Sequence, residues 1–346
     1  MSILSGVTEF FGLDIGTTGI RAVQLKGAGD AKALYTYGQT ATAGELVMSD
    51  SKTDRETLAR NIKSFLDQIG ITSKNVAVNV PSNRVFTAVI DMNKMTPEEL
   101  DKTMRYQADS LIPTPIAQSK LDWVILGDSP KDPHKVEILL SSVPNEYIEN
   151  RLSMLESIGL NVVAIEPDNM ALARAVMAPD SATAQMALDI GNSSTDLIVA
   201  FGDLPRLSRA LPFGGQTIVK AAQGGLGVEE AQASQYVYKF GLGRDKLDGQ
   251  IFNAIQTTVE SLMSEIEKSV KFFQARYPNA KLDRIIVTGG ASAIPEFPLY
   301  IANKFGINVE IGNAWRNVSY PSSQQNQLLA VSNHFAVASG LAQRDT

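Results

Sequence analysis

FGLDIGTTG at residues 11–19 and MALDIGNSSTDL at residues 186–197 carry the same phrase: an apolar run, then Asp-Ile-Gly, then small hydroxyl residues. A strand ending in Asp-Ile-Gly delivers a carboxylate near its C-terminal edge, and the glycine permits a tight turn or close approach by a ligand. Thr17, Thr18, Ser193 and Ser194 add hydroxyl donors beside free backbone N–H groups, a composition suited to cradling phosphate oxygens. Asp14 and Asp189 are too negative to touch phosphate directly. A hydrated Mg²⁺ between carboxylate and phosphate reconciles them, so both aspartates are candidate metal-facing residues. One such turn alone reads as structural. Two of them, with a third strand-turn VTGGAS at residues 287–292, point to an ancestral phosphate site with a flat ribose or base against Gly289 and Gly290.

The surrounding pattern repeats as well. Phe10–Ile15 and Ile20–Lys26 read as strands joined by GTTG, followed by an amphipathic helix over Asp54–Gly70 (Leu58, Ile62, Phe65, Leu66, Ile69) and a buried strand over Asn75–Val80. That order predicts an α/β layer. From residue 84 to 160 the texture becomes a compact α+β unit. It has strands over Arg84–Met92, Leu121–Leu126 and Val136–Ser142, a helix opened by Thr96-Pro97-Glu98-Glu99, and a helix over Asn145–Ile158. A strand over Val162–Ile165, a helix after Pro167 and a hinge candidate APDSATAQ (residues 178–185) lead into the second Asp-Ile-Gly. Strands over Met186–Ile190, Thr195–Phe201 and Leu282–Thr288 follow, with helices over Thr217–Gln223, Val228–Phe240, Asn253–Arg276, Ile294–Phe305 and Gln327–Leu341.

Composition narrows the function classes. The 346 residues allow two domains. A net charge of −6 without a basic run argues against nucleic acid. The absence of cysteine removes disulfides, thiolate metal sites and a Cys nucleophile. With only His134, in an exposed-looking turn, and His334, multi-histidine metal sites and a Ser-His-Asp triad lack material. No apolar run approaches the ~20 residues of a membrane span, and the start MSILSGVTEFFG lacks a basic signal-peptide region, so a cytoplasmic chain without direct transmembrane insertion is expected. Neither a GxxxxGK[ST] P-loop nor GxGxxG occurs, and GGLGVEE at residues 224–230 follows no strand.

The motif triplet resembles that of the actin-like nucleotide-binding superfamily. MTPEELDKTMRYQADSLIPTPIAQSKLDWVILG (residues 95–127) and VEILLSSVPNEYIENRLSMLESIGLNVVAIEPDNMALARA (residues 136–175) are similar to the type IV pilus assembly protein PilM family, as are LPFGGQTIVKAAQGGLGVEEAQ and VTGGAS. The resemblance covers nearly the whole chain. It implies an α/β, actin-like (ribonuclease H-like) fold of duplicated domains flanking a nucleotide cleft, with an inserted small α+β subdomain, in the FtsA-like branch. The implied division is 1–83 for the first actin-like domain, 84–161 for the inserted subdomain, 162–184 for the return, 185–326 for the second domain and 327–346 for a C-terminal helix packing back on the core.

By the same resemblance Gly12, Asp14, Gly16, Thr17 and Thr18 belong to the first phosphate loop. Asp189, Gly191, Asn192, Ser193, Ser194 and Thr195 belong to the second, and Gly289, Gly290 and Ala291 to the adenosine side. ATP and Mg²⁺ are the implied cofactors. Asp196 either tunes this site or is a hydrogen-bonded structural residue. The implied role is an ATP-binding adaptor at the cytoplasmic face of the inner membrane that holds an N-terminal segment of the membrane protein PilN and links it to the pilus assembly motors. Relatives often carry Glu and Lys where this chain has Gln232 and Gln235, a change expected to weaken or alter nucleotide contact. No residue declares itself a water-positioning base, so at most slow ATP turnover is expected.

For the partner segment, Val85, Phe86, Val89, Tyr106 and Trp123 of the inserted unit are candidates, against the alternative that Val85–Ile90 forms that unit's own core. Arg84 could pair with an acidic or backbone group of the partner, or be an ordinary solvated residue. The chain ends GLAQRDT without a basic amphipathic tail, which argues against direct membrane anchoring and a cell-division role. Two rivals stay open: a small-molecule kinase, for which no acceptor-activating carboxylate stands out, and a self-associating filament former.

Overall fold

The computed structural model describes residues 9–27, 31–179, 181–201 and 204–345. The first half opens with β1 (Phe11–Ile15), β2 (Gly19–Lys26) and β3 (Ala33–Ala41), then a short α1 (Gly44–Met48), α2 (Lys52–Ile69) and β4 (Asn75–Val80). Ser51 caps α2 by accepting from the Asp54 N–H, and Gly70, at φ 72°, ends it in the left-handed conformation that glycine adopts without strain. The inserted unit follows as β5 (Phe86–Asn93), α3 (Pro97–Leu111), β6 (Ser119–Asp128) and β7 (Lys135–Pro144). Thr96 and Glu99 form the reciprocal capping box at the start of α3, with Pro97 in its first turn. The chain then returns through α4 (Asn145–Glu156), β8 (Asn161–Pro167) and α5 (Asp168–Val176).

The second half contains β9 (Ala184–Ile190), β10 (Thr195–Phe201), β11 (Leu204–Leu211), α6 (Gly215–Leu226), α7 (Glu230–Phe240), α8 (Gln250–Arg276), β12 (Leu282–Thr288), α9 (Phe297–Phe305) and β13 (Asn308–Ile311). The chain closes with α10 (Gln325–Val331) and α11 (Ala336–Ala342).

Two five-stranded sheets result, with the same topology: β3-β2-β1-β4-β8 and β11-β10-β9-β12-β13. In each, the strand carrying Asp-Ile-Gly is central, antiparallel to the next strand and parallel to the one beyond the helical connection. Burial on both faces explains their continuous apolar runs. Register brings out the duplication further: Asp14 lies opposite Arg21 and Asp189 opposite Asp196, at equivalent positions.

α2 and α4 cover one face of the first sheet, where Leu58, Ile62, Leu66 and Leu155 pack on Leu13, Ile15 and Val78. α6, α8 and α9 bury the corresponding face of the second sheet. A shared cluster including Val23, Leu172, Ile198, Ile286, Trp315 and Phe335 joins the halves behind the turns. The inserted sheet β5-β7-β6 has its own core against α3, built from Met92, Leu100, Met104, Ile138 and Leu140. Phe86 and Trp123 pack against that core, whereas Tyr106 is 83% exposed.

Two departures from the sequence expectations matter here. Helix α4 sends Met154 and Leu155 into the first-half core, so the independent inserted unit runs from β5 to β7 and is shorter than the expected 84–161. The expected single final helix over Gln327–Leu341 is two helices broken at residues 332–335. Ser332 Oγ accepts from the Ala314 N–H (2.7 Å), and the Asn333 carbonyl accepts from the Gly289 N–H (2.8 Å). The first bond anchors the Ser332 side chain, and the second takes a backbone carbonyl out of the helix ladder. The start MSILSGVT and Asp180 of the hinge candidate lie outside the described residues.

Candidate functional site

The duplicated sheets present their Asp-Ile-Gly turns to one cleft of about 500 Å³ between the halves. Both turns close in the same way. The Gly16 N–H donates to the Gly19 carbonyl (3.1 Å), and the Gly191 N–H to that of Ser194 (2.9 Å). Gly16, Thr17 and Thr18 line one wall, and Gly191, Asn192, Ser193 and Ser194 the facing one. The Gly289–Gly290–Ala291 turn closes the cleft from β12. Gly289 sits at φ 82°, and a Cβ there would fall 2.4 Å from Asp189 Oδ1 and from the Ile190 carbonyl oxygen, so no larger residue fits. The first amides of α6 do not face the cleft as free donors: those of Gly215 and Gln216 bond the Gly191 and Asn192 carbonyls and brace the second turn.

Asp14, Asp168, Asp189 and Asp196 converge here, and Arg21 is the guanidinium paired with them. Asp14 pairs with Arg21 (3.3 Å) and accepts from Asn79 Nδ2 (3.1 Å), which also donates to Asp168 (2.9 Å). Asn79 Oδ1 accepts from the Ile15 N–H (2.9 Å), fixing the amide and the end of β1 together. Asp189 accepts from Thr288 Oγ1 (3.2 Å). Burial, opposed by Arg21, raises the Asp14 carboxyl. Burial and the neighbouring Asp14 push Asp189 up to about 6, while burial and Asp189 push Asp196 up to about 7. Asp168 is raised well above the ordinary range by burial and then by Asp196 and Asp14. Uncompensated buried carboxylates favour a bound cation or protonation.

Arg21 Nε is buried with no hydrogen-bond partner among the described residues, and Asp196 Oδ1 and Ser82 Oγ have at most each other. Such orphans on the walls of a glycine-lined cleft fit a polar ligand that completes them. Among the described residues no three His, Cys, Asp or Glu side chains form a ready-made cation cage. The uncompensated carboxylates and the orphaned polar groups together fit a nucleotide with Mg²⁺.

Asp14, Asp189, Gly290 and Ala291 line the cleft along with the two turns. Gly12 and Thr195 do not. Gly12 packs against α11, where a Cβ would come 2.2 Å from the Ala338 carbonyl oxygen, and fully buried Thr195 donates to the Phe213 carbonyl (2.7 Å). Gln232 donates to Tyr236 on an exposed stretch of α7, and the α7 residue that lines the cleft is Tyr238. The sequence reading missed Arg21, Asn79, Asp168, Arg151, Tyr238 and His334, all cleft-lining. Arg21 was findable: it stands seven residues after Asp14, as Asp196 does after Asp189.

The fold and cleft define a duplicated actin-like protein. Solved structures agree: MreB 5 of Spiroplasma citri bound to AMPPNP superposes with a TM-score of 0.54 at 12% identity, covering 96% of this chain and 95% of that one. The ethanolamine utilization protein EutJ from Carboxydothermus hydrogenoformans gives 0.59 at 13% identity, covering 96% and 89%. Similarity is greater to a structure described as a PilM–PilN type IV pilus biogenesis complex, with a TM-score of 0.82 and 25% identity over 96% of this chain and 97% of that one. The model of the family described as type IV pilus assembly protein PilM matches residues 12–346, and the chain belongs to that family.

Proposed function

We propose that this chain is an ATP-binding adaptor of the type IV pilus inner-membrane assembly platform, holding a short cytoplasmic segment of a PilN-like membrane protein. The observation that carries the nucleotide part is the pair of equivalent turns facing each other across four buried and half-buried carboxylates. Family membership and the likeness to a PilM–PilN complex support the partner. Among the described residues no helix is long and apolar enough to cross a membrane. Attachment at the inner face of the cytoplasmic membrane is accordingly assigned to the partner, with the pilus motor ATPases and self-association as further contacts of the same platform.

Asp14 and Asp189 would hold Mg²⁺, the turn amides and hydroxyls the phosphates, and Gly289–Ala291 the nucleoside. When bound, Mg²⁺ neutralises phosphate charge and compensates the buried carboxylates. Arg21, held by Asp14, supplies a second positive group at the first turn. Asp168 projects into the cleft from the start of α5 and is the carboxyl best placed to orient a water. Its burial among like charges favours the protonated form, which is a poor base, and this agrees with slow turnover at most. Ligand contacts with both walls would draw the halves together and so set partner affinity.

Fluorescence anisotropy of a labelled N-terminal PilN-like peptide tests the reading. Saturable binding that changes with Mg²⁺ and ATP in the native protein, but not in Asp14→Asn, is expected. A peptide that never binds contradicts the adaptor role.

A further inference from the structure

The inserted unit is joined covalently to the first half, through residues 81–85 and the junction of β7 with α4. Its ionic contacts run the other way. Glu137, in the middle strand of the inserted sheet, is completely buried, and three donors from the second half converge on its carboxylate. Arg206 Nη1 of β11 donates at 2.8 Å, Arg276 Nε at the end of α8 at 2.7 Å, and the Tyr277 hydroxyl at 2.9 and 3.0 Å. Asp91, opposite Glu137 on β5, accepts from Arg276 Nη2 at 2.9 Å.

The inserted sheet adds a backbone acceptor. A register shift between Ile125 and Gly127 on β6 frees the Leu126 carbonyl, which accepts from Arg206 Nη2 at 2.8 Å. Gly127, at φ 120°, adopts a conformation open to glycine, and a bulge of this kind re-aims groups out of the ladder. Two carboxylates thus face two guanidinium groups, so the contact is charge-balanced. Burial and the adjacent carboxylate push the Tyr277 phenol up to about 12, which keeps it a donor. Fully paired buried charges of this kind fix one relative arrangement, because sliding would leave a charge unpaired and dry.

We infer that the inserted unit is locked to the second half by the Glu137 contact and moves with it, against the first half to which the chain joins it. The same strand β7 leads directly into α4, whose Tyr147 and Arg151 line the cleft wall of the first half. Residues 81–85 and the β7–α4 junction are therefore the two connections across which any cleft movement reaches the inserted unit. This last step rests on the nucleotide reading, and the lock itself does not.

The cysteine-free chain allows clean spin labelling of full-length protein. Exposed positions on the three bodies are Tyr106→Cys on α3, Lys271→Cys on α8 and Lys63→Cys on α2. Pulsed dipolar spectroscopy without nucleotide should give a narrow 106–271 distribution and a broader 106–63 one. Glu137→Gln should broaden 106–271 about twofold. Arg276→Met, which keeps the Arg206–Glu137 pair, is the milder variant should Glu137→Gln fail to fold. With Mg²⁺ and AMPPNP, 106–63 should shift while 106–271 holds. A 106–271 distribution as broad as 106–63, one that neither variant changes, or a nucleotide shift in 106–271 with 106–63 fixed overturns the lock. If calorimetry shows no nucleotide binding, the cleft reading fails and the lock is decided by the widths alone.

Discussion

Asp189→Asn turns the electrostatics of the cleft into a stability measurement. In the native state burial and Asp14 hold the Asp189 carboxyl at about 6, against an ordinary value of 3.8. Between those pH values the folded state keeps a proton that the unfolded chain has released. Stability contributed by the protonated form is complete below pH 3.8, falls as pH rises through 6 and stays lost above. At about 1.4 kcal/mol per pH unit the loss comes to roughly 3 kcal/mol by pH 8. Asn keeps an acceptor for Thr288 Oγ1 and carries no charge, so it avoids that loss.

The nucleotide-free variant should accordingly match the native protein near pH 4 and exceed it by roughly 3 kcal/mol at pH 8, on the order of 4 °C in Tm. Excess Mg²⁺ should narrow the gap by stabilising the native protein alone. Calorimetric melting of both proteins from pH 4 to 8 gives the answer. Parallel curves, or a variant less stable at pH 8, would refute the reasoning.

Three further outcomes follow from particular contacts. Gly12→Ala should destabilise by about 1–3 kcal/mol or more, because its Cβ meets the α11 backbone, and leave nucleotide affinity per folded molecule unchanged in titrations. Thr96→Ala removes the hydroxyl half of the α3 capping box, keeping only the residue 96 N–H to Glu99, and should cost about 1 kcal/mol in denaturant melts, with no effect on the cleft. Asp168→Asn should leave Mg²⁺ and ATP affinity within about threefold while abolishing any residual phosphate release. Unchanged turnover would remove Asp168 from the water-orienting role.

The two Asp-Ile-Gly turns and the central strands were legible because they are local: Asp-Ile-Gly recurs, and buried strands read as apolar runs. Three edge strands of the two large sheets were not. β3 alternates half-buried and exposed residues, β11 contains Pro205, and β13 is four residues long, so none shows an apolar run. The break before α11 escaped detection because residues 331–335 carry neither Gly nor Pro, and it arises from bonds to the distant Ala314 and Gly289. The site shows the same limit. Asn79, on β4, reaches Asp14 and also holds Asp168 at the start of α5 just beyond β8, and both acquire meaning only in the sheet order β1-β4-β8. Gly12 looked like part of a phosphate loop by position in the motif, but in a strand its neighbour across the sheet face is α11.

Isothermal titration of nucleotide-free protein with ATP and Mg²⁺, repeated with Asp14→Asn, measures most directly whether the facing turns hold a nucleotide. One-site saturable binding that weakens at least tenfold in the variant is the expected result. A folded, nucleotide-free protein that gives neither heat nor saturation would contradict it and leave an actin-shaped adaptor whose phosphate turns are structural.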